Sequence, residues 1–459
     1  AGEEDEPDAY WYYFQANGKA YKRSDNANPD SVSAKTINGK KYAFDEEGKM
    51  LYGWVSGGER QTDDDAWKEA DYYFGDENDG AMSLGWRQIS IVDSDYESLQ
   101  PGDEYWDEEQ DRWFYFQTSG KKVKGDELDA DSLKTKTING RKYGFDGYGR
   151  MIGDWFTEAS YANATQGVAS YSETFMYFNN PEDGARVTKG WFKVVPGYYL
   201  QEDKYNDGED YWYYADGNGE IYANVIKTIK GKKYAFDNYG RMIDGLALLQ
   251  MATDGDKIES AKIDKKWADD DAGYEYDTED NFDATVVAHA DKLTTGALRF
   301  YYFGDSDDGA MKTGKQNVEI DGENFTFKFK ESSSSKGAGI HGEEDDKLYN
   351  GGKLIKANSD DKYKVVEYVT EKDGNGKVSK ITMRTMDADE FIDLCGDPTT
   401  DDDDETVWTA PKYDKTSLTK YYLVNTSGSI VKSKSAAKDG EDYKFEVKDQ
   451  IIKSVTLEN

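Results

Sequence analysis

The sequence predicts an all-β chain: a solenoid of stacked β-hairpins with a divergent β-rich C-terminal part. Three observations predict it. One pattern of about 100 residues recurs three times along the chain. Within it, short aromatic runs alternate with turns rich in Asp, Asn and Gly, the grammar of strands and tight turns. Each unit has too few apolar residues to bury a face alone, and a lone hairpin is at best marginally stable in water, so the units must stack.

The repeat has three parts. KTINGKKYAFDEEGKM begins at Lys35, KTINGRKYGFDGYGRM at Lys136 and KTIKGKKYAFDNYGRM at Lys227. A second part precedes each copy: WYYFQANGKAYK from Trp11, WFYFQTSGKKVKG from Trp113 and WYYADGNGEIYAN from Trp212. A third follows: YYFGDENDGAMSLGW from Tyr72, MYFNNPEDGARVTKGW from Met176 and YYFGDSDDGAMKTGK from Tyr301. This divides the chain into super-repeats 1–112, 113–211 and 212–314, with 315–459 as a divergent fourth super-repeat or cap.

Each part reads as one hairpin. An aromatic strand such as Tyr42-Ala43-Phe44 or Tyr72-Tyr73-Phe74 alternates faces with period 2. A turn follows (Asp45 to Gly48, Gly75 to Gly80), where Gly supplies positive φ at little steric cost. A second short strand carries Met50, Met82, Met151 or Met242 and often ends at Gly-Trp: Gly53-Trp54, Gly85-Trp86, Gly190-Trp191. Beyond Lys315, alternating Phe325, Phe327 and Phe329, a hairpin around Tyr349, two strands around Asp373 to Gly376, a strand from Tyr421 and a closing pair from Tyr443 continue the pattern. Ala388 to Leu394 reads as a short helix and Asp401 to Glu405 as an acidic loop.

Composition excludes several function classes. The 459 residues carry 57 Lys and Arg against 93 Asp and Glu, a formal charge of −36. Nucleic-acid binding needs phosphate neutralisation and is excluded on that balance, and an anionic membrane surface is disfavoured too. Aromatic residues make up 14% of the chain, too many for an acidic disordered one. No apolar stretch is long enough for a transmembrane helix, so no membrane insertion is expected. With one cysteine, Cys395, and two distant histidines, His289 and His341, the chain lacks material for a zinc site or a Cys–His dyad. Both histidines read as ordinary surface or loop residues. The start AGEEDEPDAY has no basic or apolar leader and reads as a mature or trimmed end of an exported protein.

These hairpins resemble the bacterial cell-wall-binding repeat family, which includes choline-binding, glucan-binding and clostridial toxin-type repeats. KTINGKKYAFDEEGKMLYGW and DYYFGDENDGAMSLGW carry the resemblance most closely; it is strong over residues 10–314 and weak beyond. It implies a secreted or surface-attached protein that binds a cell-wall polymer or glycan, choline among the candidates, between successive hairpins. In choline-binding members two Trp and a Tyr, with a nearby Met or Leu, cage a quaternary ammonium. The matching positions are Trp54 and Trp86 with Tyr73 and Met82, and Trp191 with Tyr177. The chain departs from that pattern by insertions at Val55 to Ala70 and Phe156 to Thr174, by Arg186 at a Met position, and by Leu246 and Lys315 at Trp positions.

Every one of these aromatics has a second reading, as part of the column that holds the hairpins together. The acidic turns GDENDG, GDSDDG and DGNGE do not complete a calcium loop, so no metal is expected. With so many acids, a glycosidase-like carboxylate pair is trivially available and uninformative. Repeats run nearly end to end and leave no separate catalytic domain, so neither a catalytic residue nor a cofactor is expected. The resulting expectation is a non-catalytic wall- or glycan-binding surface protein. Two alternatives stand beside it: an adhesive stalk that makes protein–protein contacts, and the targeting region of a larger secreted enzyme.

Overall fold

The computed structural model describes residues 9–93, 109–129, 132–157, 172, 174–252, 255–262, 276–401, 404–413, 418–440 and 442–458. The start of the chain, most of the Phe156 to Thr174 insertion and the middle of the Asp401 to Glu405 loop lie outside them. The chain forms two compact units, Ala1–Tyr222 and Ala223–Asn459. Both are built from small antiparallel sheets.

In the first unit the KTING segments fold back on themselves. Ala34–Ile37 pairs with Lys40–Ala43, and Lys134–Ile138 pairs with Arg141–Phe145. The two-residue turns Asn38-Gly39 and Asn139-Gly140 have positive φ at both positions (50° and 84°; 50° and 81°). That is the twist a tight hairpin requires, and Asn-Gly adopts it readily. Two wider hairpins follow each of these. Trp54–Ser56 pairs with Tyr72–Tyr73, Gly85–Val92 with Glu109–Phe116, Trp155–Phe156 with Met176–Tyr177, and Gly190–Val194 with Tyr211–Ala215.

The structure therefore corrects the expected hairpin. The Asp-to-Gly turn does form, and the Asp45 carboxylate accepts the Glu47 and Lys49 N–H groups at 2.9 and 2.8 Å. But its returning strand is one bridged residue, as in Phe44 with Met50 and Phe145 with Met151. Gly-Trp does not end a hairpin. It opens a strand whose partner is the next aromatic run, and the insertions are the loops between them. The expected super-repeat limits at 112/113 and 211/212 accordingly fall inside the strands Glu109–Phe116 and Tyr211–Ala215.

Successive hairpins stack by a repeated device. A Cβ added to Gly80 would lie under 3.0 Å from the Met50 side chain. Gly120 meets Met82 in the same way, Gly149 meets Lys122, Gly184 meets Met151 and Gly219 meets Arg186. One side chain of each hairpin thus seats on a turn glycine of the next. Small cores fill the junctions: Ala43, Phe74 and Met82; then Trp67, Phe114 and Phe116; then Tyr143, Phe145 and Met151.

The second unit opens with the hairpin Val225–Ile229/Lys232–Phe236 and keeps the device, with Met242 on Gly309, Met311 on Gly337 and Leu354 on Gly428. Its sheets are larger. Leu246–Met251 lies between Ile258–Lys262 and Leu298–Tyr302, and the connection holds the helices Glu279–Ala288 and Ala290–Thr295. Gly314–Ile320 and Glu323–Phe329 start a five-stranded sheet completed by the hairpin at Tyr349. Tyr363–Lys372 and Val378–Met386 form the expected pair around Asp373 to Gly376, and Thr419–Asn425 joins them. Ala388–Ile392 is the expected short helix. Tyr443–Lys448 and Ile451–Leu457 form the closing pair. These larger sheets bury contiguous cores, one around Phe391, Phe445 and Val455 and another around Val366, Tyr422 and Val424.

Candidate functional site

Four tryptophans of the first unit occupy one register position, each opposite a tyrosine: Trp54 and Tyr73, Trp86 and Tyr115, Trp155 and Tyr177, Trp191 and Tyr214. Ring centroids are 4.9, 5.2, 5.3 and 5.1 Å apart. All eight rings are half-buried. The wide hairpins present this position at a junction, where the rings pack on the adjoining hairpin and stay partly exposed.

The expected constellations are not assembled as cages. Trp54 and Tyr73 do meet, but Trp86 lies on the following hairpin, and Met82 is buried with Ala43 and Phe74 against Gly120. Tyr177 pairs with Trp155 and stacks on Phe192 at 4.9 Å, whereas Trp191 packs on Tyr214 and on Trp212 at 6.3 Å. Trp155 escaped the sequence reading because Asp154, not Gly, precedes it. Asp154 takes the left-handed backbone itself, with φ 59°.

The Trp54 junction is filled from within. The Lys122 ammonium stands 5.1 Å from the Trp54 ring centroid and 5.7 Å from that of Phe114, within cation–π range. It donates to the carbonyl oxygen of Trp67 and, at 3.4 Å, to that of Lys68. Burial pushes its pKa down to about 7, and Lys124 acts the same way against Asp146 and Asp71. Beside it, Trp67 from the insertion is buried, and its indole N–H donates to the Val92 carbonyl at 2.8 Å. The Arg150 guanidinium lies 5.1 Å from the Trp67 ring and pairs with Asp146 at 2.7 Å and Asp93 at 2.9 Å. Both aromatic faces at this junction carry a cation of the protein itself.

The Trp86 junction differs. Its indole meets Tyr115, Tyr143 at 4.9 Å, Phe145 at 5.6 Å and Trp113 at 6.4 Å. Trp113 is oriented by its N–H, which donates to Glu182 at 3.1 Å. Among the described residues no cation stands over the Trp86 ring itself, although Lys136 lies 5.9 Å from the Tyr115 centroid and Arg141 5.9 Å from that of Tyr143. Three half-buried rings from one hairpin (Trp86, Trp113, Tyr115), with Tyr143 of the next behind them, form an aromatic wall. Such a wall can hold the apolar face of a sugar ring or a quaternary ammonium.

Other reactive groups serve the fold. His341 is a half-buried loop residue whose ring bridges the Gly351 N–H, which donates to Nδ1 at 3.2 Å, and the Ile381 carbonyl, 2.9 Å from Nε2. The Nε2 nitrogen therefore carries the proton, and burial lowers the ring's pKa. Burial raises the Cys395 thiol to about 11, so it stays protonated near neutrality. His289 joins the two helices of the Leu246–Met251 connection as a cap. Among the described residues no group of three or more His, Cys, Asp or Glu is placed to hold a metal ion. No helix among them is long and apolar enough to cross a membrane.

No family model matches the chain. A glucosyltransferase-S of Streptococcus mutans serotype c is 26% identical over 272 residues, which cover 52% of this chain and 16% of that protein. The match thus spans about a sixth of that relative's length. The chain resembles the cell-wall-binding repeat proteins. Among solved structures, choline binding protein F from Streptococcus pneumoniae shares 17% identity, with 93% of this chain and 99% of that one covered and a TM-score of 0.37. The modular autolysin LytC from the same species shares 16%, covering 84% and 58%, with a TM-score of 0.32.

Proposed function

We propose that the chain is a non-catalytic, exported binding protein that holds a cell-wall polymer or glycan on the aromatic wall at Trp86. The observation that carries the reading is the contrast between junctions. Trp54 faces the protein's own Lys122 ammonium, while Trp86 is ringed by aromatics with no described cation over it. Trp86 and Trp113 supply the stacking face, Tyr115 and Tyr143 orient the indole edge-on, and Glu182 fixes Trp113. The resemblance to wall-binding repeats and the match to a glucosyltransferase support a carbohydrate or choline-bearing ligand.

The test is retention on insoluble α-glucan, on Gram-positive cell walls and on a choline matrix, with release by the free ligand. Wild type is expected to be retained on at least one. Trp86→Ala is expected to weaken retention about tenfold or more, a loss of about 1.4 kcal/mol, with an unchanged circular dichroism spectrum. Trp54→Phe is expected to retain fully. No retention of the wild type on any of the three, or equal loss in both variants, would overturn the reading.

A second reading has one observation behind it. The curated relative is an enzyme matched over 16% of its length, which fits this chain as the attachment region of a larger secreted enzyme. Detection of a catalytic domain in the same polypeptide, by mass spectrometry of the protein from its native source, would establish it.

A further inference from the structure

The second unit contains a cleft of about 860 Å³, inside the range of small-ligand sites. One wall is the helix Glu279–Ala288. Glu279, Asp283 and Val287, spaced four apart, share one helix face and line the cleft. Lys353 lies at its base with a nearly buried side chain, and pairs with both acids at 2.9 and 2.7 Å. One ammonium thus offsets half of the charge of the two carboxylates before any ligand arrives.

The rest of the lining holds one further acid, Glu323, against three basic residues. Lys364 stands on the strand Tyr363–Lys372, Arg384 on Val378–Met386, and Lys356 just past Lys353–Leu354. Arg384 has only a long contact to Glu367, at 3.5 Å. Lys356 and Lys364 pair with no acid among the described residues. In a chain of net charge −36, two lysines without acidic partners in one concavity run against the general field. A concave wall focuses their potential on whatever enters. The remaining surface suits a sugar: the carboxamides of Asn324, Asn350 and Asn358 match hydroxyl groups, and the half-buried Phe325 ring, with the Lys353 ammonium 5.4 Å from its centroid, can offer only its other face.

We propose that this cleft is a second binding site, for an anionic glycan, in which Lys356 and Lys364 receive a carboxylate or phosphate while the asparagines and Phe325 hold the sugar. Ammonium groups act as point charges toward either anion, so the two sources share one chemistry. The site is separate from the Trp86 wall and does not depend on it.

The test is calorimetric titration of the full chain with oligogalacturonate, with a glycerol-phosphate oligomer, and with a neutral dextran oligosaccharide. At least one anionic probe is expected to bind, and the one that binds names the source. Binding is expected to weaken about tenfold or more from low to high salt, as an ammonium–anion contact must. The double variant Lys356→Gln/Lys364→Gln is expected to lose it, and Trp86→Ala to keep it. Binding of neither anion, equal binding of dextran, or unchanged affinity in the double variant would overturn the proposal. A wild type that binds the anion but is retained on neither glucan, cell walls nor choline matrix would count against the Trp86 reading alone.

Discussion

Lys122 occupies the stacking position that Met50, Met82, Met151 and Met242 hold in other hairpins. A lysine there brings a charge into the junction, and the rings of Trp54 and Phe114 with two carbonyl oxygens compensate it only in part. Its pKa falls from 10.5 to about 7. Between those values the unfolded chain binds more protons than the folded one, so this residue makes stability rise with pH; below about 7 its full charging penalty is present. Denaturant unfolding of wild type and Lys122→Met should therefore give a stability gap that favours the variant at pH 6 and narrows toward pH 10. A gap independent of pH would show that the ammonium is not desolvated. The sequence displayed Arg186 as an oddity at this position but gave no hint that Lys122 shares it, because KKV offers no Met to align. Nor could spacing alone say which Trp carries an internal cation. That depends on a side chain arriving from a turn far along the chain.

At the scale of the element, the turn glycines were legible for only half of their role. Positive φ follows from their place after Asp and Asn. That each also receives the preceding hairpin's Met does not, since it is a contact between units about 30 to 40 residues apart, such as Met82 and Gly120. Two glycines separate these effects. Gly120 has φ 86° and Met82 seated on it; Gly140 has φ 81° and nothing within 4 Å. Gly140→Ala should cost only backbone strain, about 1–2 kcal/mol. Gly120→Ala should cost about 1–3 kcal/mol more from overpacking. Met82→Ala should recover part of that excess in the double variant. Equal costs at the two sites would refute the stacking device. The strand pairing was misread for a related reason. Gly-Trp and the following aromatic run are separated by insertions of very different length, and local spacing made the nearer Met segment look like the partner.

Across the molecule, the repeated region was the more legible because identical segments constrain one another. In the second unit many strands were foreseen, though not Leu246–Met251, Ile258–Lys262 or Lys434–Lys438, and their sheets were not: Thr419–Asn425 joins Tyr363–Lys372 across an intervening helix and a two-stranded excursion. Such long-range pairings leave no periodic trace. The cleft beside the helix Glu279–Ala288 went unseen for the same reason, since its walls come from segments that nothing in the spacing brings together. The central claim is that each hairpin is stabilised by its immediate neighbours, as a quasi-one-dimensional stack. Hydrogen exchange followed by mass spectrometry on wild type and Gly120→Ala tests it most directly. The stack predicts lost protection in Trp54–Ser56, Gly85–Val92, Glu109–Phe116 and Lys134–Ile138, with Gly190–Val194 and Tyr211–Ala215 unchanged. Uniform loss across the first unit, or loss in the distant hairpin first, would contradict it.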